Sequence, residues 1–129
     1  MTKEEELDRE GLSVLRWSMF DSPDSEGSGY KFMEREPVVA LDRAARYYRF
    51  IPNIVLGYTS QTVANKMSLA SNDSHRLGKA VRIRCVGPKK RIALIRSLME
   101  QGVQRFAVSN DIVYFDTDDL KPPSFYLWT

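Results

Sequence analysis

Asn72-Asp73-Ser74-His75-Arg76-Leu77-Gly78-Lys79-Ala80-Val81-Arg82-Ile83 changes character half-way along. Its first half is rich in Asn, Asp, Ser and Gly, the residues of turns and loops. Its second half opens an alternation that runs from Lys79 to Val86. Ala80, Arg82 and Arg84 fall on one side and Val81, Ile83 and Cys85 on the other. A period of two predicts a half-buried strand. A loop carrying the only histidine of the chain therefore feeds directly into a strand.

The strand is followed by a well-punctuated helix. Gly87 stands at the cap, Pro88 in the first turn and Gly102 just past the end, which predicts a helix over 88–101. Ile92, Ile95 and Met99, with Leu94 and Leu98 beside them, are its expected core face. Residues 105–108 and 112–116 read as a hairpin turned by Ser109-Asn110-Asp111. Pro122 and Pro123 should stop the sheet, leaving Phe125, Tyr126, Leu127 and Trp128 as an apolar tail docked on the core.

Upstream, Asp21 to Gly29 has the composition of a loop. Val38, Leu41, Ala45 and Tyr48 recur at helical spacing, so a helix is expected over 37–49, with Pro37 in its first turn. Ile51 to Leu56 reads as a short buried strand ended by Gly57. Ser60 can cap a brief helix through Lys66. Residues 1–15 read as a loose N-terminal arm, with a short helix over 1–10 as the alternative. The sum is an α+β chain with a small, largely antiparallel sheet and helices packed on it.

Composition sets the outer bounds. A length of 129 residues, 43% of them hydrophobic and 28% charged, suits one ordinary globular domain over 1–129. The lone Cys85 excludes an intrachain disulfide and suits a reducing compartment or a virion. No apolar run approaches the roughly 18–20 residues of a membrane span, so no membrane partner is expected. The acidic N-terminus lacks the apolar region of a signal peptide, which predicts a cytoplasmic or virion location. The net charge of +2 conceals a segregation: ten acids lie in the first 36 residues, and nine bases against one acid in residues 75–105.

The stretch around His75 resembles the S-x-H-x-x-G-x-A-x-D motif of the zinc D-alanyl-D-alanine carboxypeptidases, which share a fold with the hedgehog signalling domain. Further landmarks follow in order. Phe20-Asp21-Ser22-Pro23 and Asp116-Thr117-Asp118 read like family features. Gly57-Tyr58-Thr59-Ser60-Gln61-Thr62-Val63-Ala64-Asn65 resembles the family's G-Y-R-x-x-x-x-N with one more residue between its landmarks. Asp111-Ile112-Val113-Tyr114 stands where the family has D-x-x-H. The likeness covers about residues 16–128 and implies a hedgehog/DD-peptidase-like fold.

It also implies a set of roles, and the chain departs from most of them. The resemblance makes His75 a zinc ligand and Asp111 a general base. The second ligand position holds Arg82, a permanent cation that cannot coordinate zinc. The third holds Tyr114, a poor ligand beside imidazole. Thr59 replaces the arginine that polarises the scissile carbonyl, and Asp73 the serine that helps hold the substrate carboxylate. A catalytic zinc site needs about three protein ligands and an open position. With one histidine in the chain, two imidazoles from one copy are ruled out by count.

The expectation is a peptidase-like fold that has lost its zinc: a module binding a protein or a cell-wall peptide, or assembling in a bacteriophage virion or lysis apparatus. His75 would be a ligand without a metal and Asp111 a relic base, with Thr59, Asp73, Arg82 and Tyr114 around the former site. Two other readings stand beside it. One is an active peptidoglycan peptidase with zinc held by His75, Asp111 and either Asp116 or Asp73. The other is a nucleic-acid-associated protein that uses the basic block 76–105, with Tyr47 and Tyr48 for stacking.

Overall fold

The alternation after His75 becomes strand β2, Ala80–Arg84, in a computed structural model that describes residues 11–127. β2 pairs antiparallel with β1 (Asn53–Leu56) on one side and with β4 (Ile112–Asp116) on the other. β4 pairs antiparallel with β3 (Arg105–Val108), closing the expected hairpin. A fifth strand, β5 (Ser124–Leu127), lies parallel to β3, so the sheet order is β1-β2-β4-β3-β5. The architecture is α+β with a mixed sheet.

β5 corrects the sequence expectation for the tail. Pro122 and Pro123 turn the chain without ending the sheet. They lack N–H donors, but Ser124 has one, and it donates to Gln104 O at 3.0 Å. The Arg105 guanidinium bonds Pro122 O and holds the turn. The open backbone edge of β3 thus captures the tail by ladder hydrogen bonds. Phe125, Tyr126 and Leu127 remain exposed on the new edge and are not buried in the core. Trp128 lies outside the described residues.

The helices are α1 (Ser28–Phe32), α2 (Arg35–Tyr48), α3 (Gln61–Lys66) and α4 (Pro88–Glu100), with a 3-10 turn at Trp17–Phe20 before them. Ser28 and Gly29 were expected in a loop. They join α1 because Asp21 accepts from Gly27 N and Gly29 N at 3.0 and 2.8 Å, satisfying first-turn donors. Ser60 caps α3 as expected, accepting from Val63 N.

α4 buries Leu94, Ser97 and Leu98, while Ile92 and Met99 are exposed. The expected face was rotated. Apolar residues at 92, 94, 95, 98 and 99 fit more than one helical stripe. Ser97 tolerates burial on this face because its hydroxyl donates to Leu94 O at 2.7 Å.

The core lies between α2, α4 and one sheet face. Val38, Leu41, Leu94 and Leu98 meet Val81, Ile83, Phe106, Val113 and Phe115 there. The described part of the N-terminal arm is anchored to it. Ser13, Val14 and Leu15 donate their N–H groups to the buried Asp42 carboxylate at 2.9 Å, and Leu15 is buried. By the alternation of the strands, Ala80, Arg82, Tyr114 and Asp116 occupy the opposite sheet face. The His75 loop covers that face.

Candidate functional site

The loop before β2 is held tightly. Asp73 Oδ1 accepts from His75 N at 2.9 Å, and Leu77 N and Lys79 N bond back to Asp73 O and Ser74 O. Gly78 has φ +71°, and a Cβ there would lie 2.2 Å from Phe32 O. Only glycine lets this loop press on the 32–34 segment, where Glu34 N donates to Gly78 O.

This packing drives His75 inward until 1% of it is exposed. Nδ1 donates to Gly57 O at 2.9 Å. A carbonyl accepts only, so the proton sits on Nδ1 and the Nε2 lone pair is free. Nε2 is buried and has no hydrogen-bond partner among the described residues. Burial pulls the imidazole pKa down to about 4, and the Arg82 charge adds to the depression. The Gly57 hydrogen bond, Asp73 and Asp116 pull the other way without prevailing.

Tyr114 stands edge-on to the imidazole, with ring centroids 5.5 Å apart. Arg82 is the cross-strand partner of Tyr114. The Tyr114 hydroxyl donates to Asp116 Oδ2 at 2.6 Å. Burial, and then the Asp116 carboxylate, raise the phenol far above its usual range. Asp116, 1% exposed, accepts at Oδ1 from Arg105 Nε at 2.8 Å and from Asp118 N at 3.0 Å. Beside it Asp118 accepts from Ser74 Oγ and lies 3.4 Å from Lys121 Nζ.

Five of the six sequence candidates therefore meet on two neighbouring loops and the outer sheet face. Thr59 is fully buried, with its N–H donating to His75 O. Asp73 caps the His75 turn, and Arg82 and Tyr114 face one another. Asp111 does not join them. It sits exposed in the β3–β4 turn, accepts from Ser109 Oγ, and offers its carbonyl to Cys85 N, three residues along from Arg82.

Asp116, which the sequence reading offered only as an alternative zinc ligand, and Arg76, to which it gave no individual role, both take part in the site. Asp116 is the acid at the centre of the site. Its signal was the pair of acids Asp116 and Asp118 at a strand end. Arg76 reaches Tyr58 OH at 2.7 Å and Thr59 O at 3.0 Å, with its guanidinium over the Tyr58 ring. An arginine thus arrives beside Thr59 from the histidine loop, where the resemblance expects one at Thr59 itself.

A resident zinc would find one suitable donor here. His75 is oriented like a metal ligand, its second ring nitrogen fixed by a carbonyl. Around it stand a guanidinium, a phenol of raised pKa and a carboxylate whose two oxygens are both engaged. Among the described residues no group of three or more His, Cys, Asp or Glu side chains could hold a metal ion. The donor set does not fit the zinc that the resemblance implies. No family model and no curated protein matches this chain.

Proposed function

We propose that the chain is a catalytically inactive relative of the zinc D-alanyl-D-alanine carboxypeptidases, with a hedgehog/DD-peptidase-like fold, that serves as a binding or structural module. Its setting on this reading is a bacteriophage virion or lysis apparatus, and its ligand is a protein or a cell-wall peptide. One observation carries the reading. The three positions that the resemblance assigns to zinc ligands converge in space, yet two of them are Arg82 and Tyr114. A fixed cation beside His75 repels a divalent metal by the interaction that lowers the imidazole pKa. The buried Nε2 lone pair is the vestige of a ligand, and Asp116 is neutralised by Arg105 and Tyr114 where a metal would have done so.

The basic block gives less support to a nucleic-acid role. Arg76 turns to Tyr58 and Thr59, Arg105 to Asp116, and Lys79 to Asp118. These three charges serve internal contacts, while Arg84, Lys89, Lys90 and Arg96 stay exposed.

The test uses the full chain with a synthetic peptide ending in D-Ala-D-Ala, with and without added zinc. The expected result is no release of D-alanine in either condition. Zinc-dependent release of D-alanine that Asp116→Asn abolishes would overturn the reading in favour of a living peptidase.

A further inference from the structure

At the end of the helix–sheet layer, away from His75, a groove lies over the core. Ile83 of β2 and Leu94 of α4 form the floor of a groove of about 410 Å³. That volume is in the range of small-molecule pockets, roughly 300–1,000 Å³. Its walls come from Phe50, Ile51 and Pro52 after α2, and from Val86 after β2. Ile51 is 78% exposed and Val86 59% exposed, so the lips are apolar surface left to water.

The charges on the groove have one sign. Among the described residues Arg84 and Lys90 line it, and no carboxylate does. Lys90 lies in the first turn of α4. That turn has no acidic residue, and its N-cap is Gly87, which offers no capping side chain. A helix start of this kind favours an anion. Glu100 is committed to the Tyr48 hydroxyl at 2.8 Å.

We propose that this groove binds a small amphipathic anion, its apolar chain or ring over Ile83 and Leu94 and its headgroup at Lys90 and the start of α4. None of His75, Arg82 and Tyr114 lines the groove, so the inference stands or falls apart from the proposed function.

Cys85 also lines the groove and is the only cysteine in the chain, which makes it a built-in reporter of occupancy. The experiment measures its reaction rate with N-ethylmaleimide, a neutral reagent, in the full chain. Sodium decanoate below its micelle concentration is the probe, with decan-1-ol and decyltrimethylammonium as headgroup controls. Saturable slowing by decanoate is expected, with weaker slowing by the alcohol and none by the cation. Lys90 is exposed, so Lys90→Glu should fold and should weaken decanoate protection about tenfold. Ala93→Trp should fill the groove and remove protection, with near-UV circular dichroism confirming the fold. The proposal is overturned if decanoate leaves the rate unchanged. It is equally overturned if all three headgroups protect alike, or if protection survives both substitutions. Equal protection would mark a bare apolar contact surface for a protein.

Discussion

His75 couples the candidate site to pH. Its folded pKa of about 4 lies below the ordinary value of 6.5. Between those values the unfolded chain binds a proton that the folded chain refuses. Stability is therefore complete above about pH 6.5 and falls as pH drops towards 4. The predicted loss is about 1.4 kcal/mol at pH 5.5 and approaches about 3 kcal/mol near pH 4. Urea midpoints at pH 7.5 and 5.5 measure it, and no other side chain here has an ordinary pKa in that interval. His75→Gln should flatten the profile between those two values even if it lowers stability throughout. A second prediction concerns the acid that His75 faces. Tyr114→Phe removes the donor on Asp116 Oδ2 and should cost about 1–3 kcal/mol by orphaning a buried oxygen. Arg105→Met should cost more, about 3–5 kcal/mol, because it leaves the carboxylate without its counter-ion. Equal, small losses in both variants would mean that Asp116 is hydrated.

At the scale of elements, the approach of the His75 loop to α1 is the feature most exposed to single-atom changes. Gly78→Ala adds a Cβ at positive φ within 2.2 Å of the Phe32 carbonyl oxygen, a backbone atom that cannot step aside. Gly87→Ala also meets positive φ, but nothing lies within 4 Å of the added carbon. The second should cost about 1–2 kcal/mol and the first clearly more. Thermal denaturation of the two variants side by side measures the difference. This contrast was not legible in the sequence, which does not show what backbone lies against each glycine. What was legible had a short-range cause. The alternation gave β2, Ser60 gave the α3 cap, and Ser109-Asn110-Asp111 gave the β3–β4 turn. What was missed has two causes: β5 needs the open edge of β3, distant in sequence, and the apolar residues of α4 fit more than one helical stripe. At the site the pattern around His75 picked out the loop that packs beside Tyr114. It could not show that Asp111 points away at a turn while Asp116, two residues past Tyr114, turns in.

For the whole molecule the decisive question is whether the fold still contains a metal site in outline. Binding that favours the folded state raises its stability by mass action, about 2.7 kcal/mol at a ligand concentration of 100 Kd. For a chain of this length that is several degrees in Tm. The natural protein should melt at the same temperature in excess zinc and in EDTA, because Arg82, Tyr114 and the engaged Asp116 offer His75 no fellow ligands. A null result alone is weak, so the informative measurement is a repair. Arg82 and Tyr114 are cross-strand partners, and the Tyr114 ring lies 5.5 Å from that of His75. The double variant Arg82→Asp, Tyr114→His therefore puts a carboxylate and a second imidazole around the free Nε2 lone pair. It also removes the cation that depresses the His75 pKa and frees Asp116 Oδ2. In EDTA this variant should be less stable than the natural chain, since it gathers unpaired acids in a buried place. In zinc its Tm should rise by several degrees, and each single variant should respond less. A folded double variant with no zinc response would show that the three positions do not outline a metal site. The resemblance on which the proposed function rests would then lose its geometric support.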